Sequence, residues 1–129
     1  MKLLYVICAH SLVALDADTG DEVWRQIVGM TLHPSFPVVT ADAVVVWGPV
    51  ELFCFDRVSG AVRWKVPASY ADANAHLVVV DDRVVVGSRG VVRAWSLSTG
   101  APLWEAGLKG LGYGAVRLGR AAKSTPSAG

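Results

Sequence analysis

The sequence predicts an all-β fold made of three copies of one four-stranded unit, and three observations carry that prediction. The 129 residues repeat with a period of forty and no gap, as 1–40, 41–80 and 81–120. Val6, Val46 and Val86 fall in one column, Gly20, Gly60 and Gly100 in a second, and Trp24, Trp64 and Trp104 in a third. Each repeat is a series of short β-branched runs broken by turn residues, with no apolar pattern of helical period. Runs such as Ala43–Trp47 and Leu77–Val80 are apolar on successive residues, so both faces of their sheet need a cover. Four strands in about forty residues is the size of one blade of a β-propeller, whose sheets stack face to face around an axis.

Taken in order, the first repeat supplies strands at 3–8, 11–15 and 22–28. Met1–Ala9 has the apolar run of a signal peptide, but its residues 3–8 share columns with later strands, which reads it as structure and places the chain in the cytoplasm. The second repeat has strands at Pro37–Ala41, Val44–Trp47, Glu51–Asp56 and Val62–Val66, with turns at Asp42, Gly48-Pro49 and Ser59-Gly60. The third repeats that plan. Ala115–Leu118 shares columns with Ser35–Val38 and Ala75–Val78, and is read as a twelfth strand that supplies the innermost position missing from blade one. Propellers have about 4 to 8 blades, so three cannot close alone. The expectation is a six-bladed ring of two chains with strand exchange, each chain lending residues 115–118 to its partner's first blade, with a trimeric nine-bladed ring and a piece of a longer propeller as the alternatives. Residues 121–129 fall outside the period and read as a disordered tail.

Composition excludes several classes. Hydrophobic residues make up 53% and charged residues 18%, which is far from disordered composition, yet no run of about 18 apolar residues is present to span a bilayer as a helix. A formal net charge of +1 gives no electrostatic pointer to nucleic acid or an anionic membrane, and no nucleic-acid partner is expected. Cys8 and Cys54 lack a CxxC partner and read as free buried thiols.

The most informative stretch is Ala14-Leu-Asp16-Ala-Asp-Thr19-Gly20-Asp-Glu-Val-Trp24. Thr-Gly marks a turn between the third and fourth strands, where glycine accepts positive φ and the Asp and Thr side chains accept hydrogen bonds from turn amides. The tryptophan then reaches the neighbouring blade, and its indole N–H needs an acceptor there. Truncation of such a tryptophan would cost about 3–5 kcal/mol. The stretch resembles the tryptophan-docking motif A-x-D-x-x-T-G-x-x-x-W of PQQ-like (quinoprotein alcohol dehydrogenase-like) β-propellers. Repeat two has Cys54 for Ala and Ser59 for Thr but keeps Asp56, Gly60 and Trp64, and repeat three has Ser96 for Asp but keeps Ala94, Thr99, Gly100 and Trp104.

That resemblance implies the scaffold and not the catalysis. Quinone-dependent members hold the quinone and Ca²⁺ with an acidic base, recurring metal ligands and adjacent cysteines, and no such set stands in this sequence. The expectation is therefore no enzyme, no catalytic residue, no cofactor and no metal. Asp16 to Glu22 has carboxylates at alternate positions, but its glycine is fifth and not sixth, so it reads as a plain turn. Gly110-Leu-Gly112-Tyr-Gly114 precedes a strand instead of a helix and lacks the geometry of an anion cradle. His76 shares no column with His10 or His33 and reads as an ordinary strand histidine.

Binding is expected where hairpin loops and blade connections share one end of the ring. The candidate ligand residues there are His10, His33, Tyr70, Asp72, Asn74, Arg89 and Tyr113, joined by Glu51 and Lys109. The leading functional expectation is a non-catalytic scaffold that holds a partner protein, since the assembly-factor type of PQQ-like propeller is a docking platform. A lectin-like multivalent carbohydrate binder is the alternative, because repeated loops would grip glycans with avidity. A PQQ-dependent dehydrogenase stands third.

Overall fold

A computed structural model describes residues 1–29, 36–48, 50–68, 75–111 and 116–119. Its eleven strands form three sheets, each a meander in chain order. The first contains β1 (Leu3–Cys8), β2 (Ser11–Asp16) and β3 (Glu22–Ile27). The second contains β4 (Val38–Val39), β5 (Ala43–Trp47), β6 (Glu51–Asp56) and β7 (Val62–Pro67), and the third β8 (His76–Val80), β9 (Arg83–Ser88), β10 (Val91–Ser96) and β11 (Pro102–Gly107). All pairings are antiparallel, with Val6 opposite Val13, Val46 opposite Phe53 and Val86 opposite Arg93. The outer pair of each sheet shifts register at the same column, after Ala14, Cys54 and Ala94, where a bulge adds twist to the outer strand.

The turn chemistry repeats as well. Gly20, Gly60 and Gly100 have φ of +79°, +77° and +77°. Each donates its amide to the carbonyl at the start of its turn, at 2.7 Å to Asp16, 2.9 Å to Asp56 and 2.8 Å to Ser96. Asp16 accepts from the Asp18 amide, Asp56 from Val58 and Ser59, and Ser96 from Thr99. Hydroxyls of Thr19, Ser59 and Thr99 each accept from the amide two residues on.

Blade two shows why its strands are apolar on every residue. Val44, Val46, Phe53 and Phe55 join Leu12, Val28, Tyr5, Ile7 and Trp24 in one cluster against blade one. The alternate residues Ala43, Val45, Trp47, Leu52 and Cys54 join Leu77, Val84, Val86 and Trp95 in a second cluster against blade three. Successive side chains point to opposite faces, so all five residues of β5 are buried. Phe53 and Phe55 stack at 5.6 Å between centroids, and Trp24 tilts against Phe55 at 6.2 Å.

The structure corrects three expectations. β4 spans only Val38–Val39, because the Thr40 hydroxyl accepts from the Ala43 amide at 3.0 Å and draws Thr40 into the turn, while Pro37 has no amide to donate. Within the single chain Val116–Leu118 forms no strand; Ala115 and residues 121–129 lie outside the described residues, and the first sheet has the three strands expected of its own residues. In β8, Leu77 and Val79 face blade two, so strict register would turn Arg117 onto blade three. The chain instead buries Val116 over Gly87 and donates the Leu118 amide to His76 Nδ1 at 2.9 Å. Burial of a valine in place of an arginine decides the phase. Finally, Cys8 is exposed at the end of β1, whereas Cys54 is buried as expected and its thiol is pushed up to about 11, mainly by desolvation.

Candidate functional site

One end of the molecule is built by the same bond three times. The Val28 amide donates to the His10 carbonyl at 2.8 Å, the Ala68 amide to Val50 at 2.9 Å, and the Leu108 amide to Gly90 at 2.8 Å. Each bond ties the start of a blade connection to the hairpin turn between the second and third strand positions of its blade. Hairpin turns and blade connections therefore emerge together, as the repeat predicts. At Ser88–Val91 the two turn residues Arg89 and Gly90 have φ of +51° and +74°, the two left-handed residues of a tight hairpin. Ala9 takes +54° in the corresponding turn before His10.

Of the candidate ligand residues, His10 and Arg89 stand exposed on this end, and Lys109 opens the third connection. Glu51 is half-buried and reaches Lys65 at 4.0 Å. His33, Tyr70, Asp72, Asn74 and Tyr113 lie outside the described residues. Ser88 beside Arg89 is buried.

The opposite end holds the Thr-Gly and Ser-Gly turns and an arginine shared by two carboxylates. Arg63 bridges Asp56 at 3.1 Å and Asp42 at 3.3 Å. Asp56 is held down to about 2, first by the Ser59 and Val58 amides and then by Arg63. No group of three or more His, Cys, Asp or Glu side chains among the described residues is arranged to hold a metal. No helix among them is long and apolar enough to cross a membrane.

The repeated tryptophans mark a second kind of surface, the faces where blades meet. Trp24 lies on Gly60, so that a Cβ there would come within 2.5 Å of the indole, and its N–H donates to the Arg57 carbonyl at 3.2 Å. Trp64 lies on Gly100, where a Cβ would come within 2.7 Å, and donates to the Leu97 carbonyl at 2.7 Å. Glycine is required at those two turns for the close approach as well as for the positive φ. Trp104 is 46% exposed against 8% for Trp64, since no further blade among the described residues lies beside blade three.

Three contacts were not foreseen from the repeat. Tyr5 donates its hydroxyl to the Arg57 carbonyl at 2.8 Å, Gln26 donates to the Gly60 carbonyl at 2.7 Å, and Trp47 donates its indole N–H to the Ala68 carbonyl at 2.9 Å. Tyr5 and Gln26 occur in only one repeat, in columns otherwise filled by Val45 and Val85 or by Val66 and Ala106. Their signal was a polar group breaking an apolar column.

Comparison with known proteins agrees with this architecture. The family model described as outer membrane protein assembly factor BamB matches residues 9–125. The protein of that name from Burkholderia pseudomallei (strain K96243) is 35% identical over 107 residues, covering 73% of this chain and 27% of that protein. The chain thus spans about a quarter of that relative's length. The crystal structure of BamB from Moraxella catarrhalis superimposes with a TM-score of 0.61 at 27% identity, over 81% of this chain and 32% of that one. A europium-containing methanol dehydrogenase (TM-score 0.62, 18% identity, 81% of this chain and 23% of that one) shares the fold. So does the Neurospora crassa Pan2 WD40 domain (TM-score 0.66, 10% identity, 83% of this chain and 35% of that one). The three stacked sheets, the turn repeated at forty-residue intervals and the match over residues 9–125 have one meaning: the chain belongs to the PQQ-like β-propeller repeat family of the outer membrane protein assembly factor BamB.

Proposed function

We propose that the chain is a non-catalytic protein-interaction module, that the loop end of its blades holds a partner protein, and that two copies complete a six-bladed ring. The observation that carries this reading is the bond made three times at the loop end, Val28 to His10, Ala68 to Val50 and Leu108 to Gly90. It holds the start of each blade connection against the hairpin turn of its own blade, so that these turns gather at one end, and loops positioned by a scaffold are where binding residues concentrate. Membership in a family named for outer membrane protein assembly supports a protein partner over a small substrate. The likeness to a dehydrogenase is one of fold alone, and fold does not carry catalysis.

The test follows from the relatives' name. A denatured outer-membrane β-barrel polypeptide, fluorescently labelled, is titrated with the full chain, alongside a glycan panel. The expected result is saturable binding to the polypeptide that weakens several-fold in His10→Ala and Arg89→Ala but not in Asp18→Asn at the opposite end. Binding confined to the glycan panel would overturn the protein-partner reading in favour of the carbohydrate one.

A further inference from the structure

The two open blade faces are complementary halves of one contact. Resting on the ring reading above, we propose that the partner on these faces is a second copy of the chain, and that the indole of Trp104 on one copy docks on Gly20 of the other, donating its N–H to the Ala17 carbonyl.

The chain already makes this contact twice within itself. Trp24 docks on Gly60 and the Arg57 carbonyl, and Trp64 docks on Gly100 and the Leu97 carbonyl. Trp104 occupies the donor column of that pair, and Gly20 with Ala17 the acceptor column, at the same forty-residue spacing. The acceptor half is already formed. Gly20 has the φ of Gly60, its amide bonds the Asp16 carbonyl at 2.7 Å, and the Asp16 amide bonds Asp21 at 2.8 Å, as Asp56 bonds Ala61 at 2.7 Å. A Cβ at Gly20 meets nothing within 4 Å, whereas one at Gly60 runs into an indole. The donor half is equally available, with Trp104 nearly half exposed.

The surfaces around the two halves match in the same way. Blade two presents Val44 to blade one, and the same column on the open face of blade one is Leu4, 54% exposed against 0% for Val44. On blade three, Val116 covers the inner part of the open face at Gly87. The three-stranded first sheet of an incoming copy brings no innermost strand to that part. A face that is one half of a contact the chain makes with itself is best filled by the chain's own other half. Donor and acceptor sit on different blades, so each contact pairs unlike surfaces, and two copies that each give one Trp104 and one Gly20 close a two-fold ring.

Sedimentation velocity of the full chain tests both levels. The expected wild-type species has twice the 13.7 kDa mass. Trp104→Ala and Gly20→Ala each weaken association by about 30-fold, the loss typical of a buried aromatic anchor. Gly110→Ala is the control, since Gly110 has a comparable φ of +82° and open space at its Cβ but lies on the other end of its blade. It leaves the dimer unchanged. Mixing Trp104→Ala with Gly20→Ala restores a pair through one intact contact, as expected when Trp104 of one copy meets Gly20 of the other. A wild-type chain that stays monomeric overturns the ring and the contact together. A dimer indifferent to both variants overturns the contact while sparing the ring, and dissociation by Gly20→Ala no greater than by Gly110→Ala overturns the assigned acceptor site.

Discussion

Blades two and three have the same strand plan and the same Thr/Ser-Gly turn, yet Trp64 is buried and Trp104 is not. In β7, the outer strand of blade two, Trp64 is buried and Val66 half-buried, whereas all six residues of the equivalent β11 in blade three are exposed. Local chemistry is nearly constant between them: the turn glycines agree in φ, and the outer strands bulge at the same column. What differs is the neighbour. The motif therefore dictates the turn and aims the indole, and the stabilisation arrives only when another blade supplies the glycine and the carbonyl.

That contrast can be broken most sharply at the tryptophans. Trp64→Ala should lower unfolding free energy by about 3–5 kcal/mol, because it empties a site between two blades. Trp104→Ala, measured by urea denaturation at concentrations where chains do not associate, should cost less than about 1 kcal/mol, as a surface change does. Equal losses at the two sites would contradict the dependence on a neighbour.

The glycines offer the same contrast from the other side. Gly60→Ala should cost about 2–4 kcal/mol, combining left-handed strain with collision against Trp24, while Gly20→Ala should show only the strain of roughly 1 kcal/mol. Thermal melts of the two variants separate these terms.

A smaller effect distinguishes the two blades by pH. Asp56 is lowered from 3.8 to about 2 in the folded chain, whereas blade three has Ser96 in that column. A depressed carboxyl contributes stability that is present above its unfolded pKa and lost as pH falls through its folded pKa, so the window is about pH 4 to 2. Protection of the Val58 and Ser59 amides, relative to their intrinsic exchange rates at each pH, should fall across that window, and that of Thr99 should not.

The architecture was legible because a gapless period shows in columns, and each column carries one physical demand: positive φ at Gly20, Gly60 and Gly100, or a docked indole at Trp24 and Trp64. Where a residue departs from its column, sequence reasoning weakened. Val116–Leu118 aligned with strands, but Arg117 occupies a position that would have to be buried, so the segment turned out of phase. Thr40 fits a strand by propensity and is taken by its hydroxyl into a turn. Cys8 is apolar by type but belongs to the open face of blade one. Hairpin turns and the starts of the blade connections share one end, as a meander of four strands requires, and His10 and Arg89 stand exposed there. How Tyr5 and Gln26 would serve the blade joint was not legible, because single-repeat polar residues find partners only in three dimensions.

The central claim is that blades join by an indole pressed onto a turn glycine, and a double-mutant cycle between Trp64 and Gly100 tests it directly. If the contact is the one described, Trp64→Ala removes the atoms that an added Cβ at residue 100 would strike. The double variant is then less destabilised than the sum of the single variants by about 1–3 kcal/mol. Strict additivity of the two losses would mean that glycine and indole do not meet, and would contradict the account.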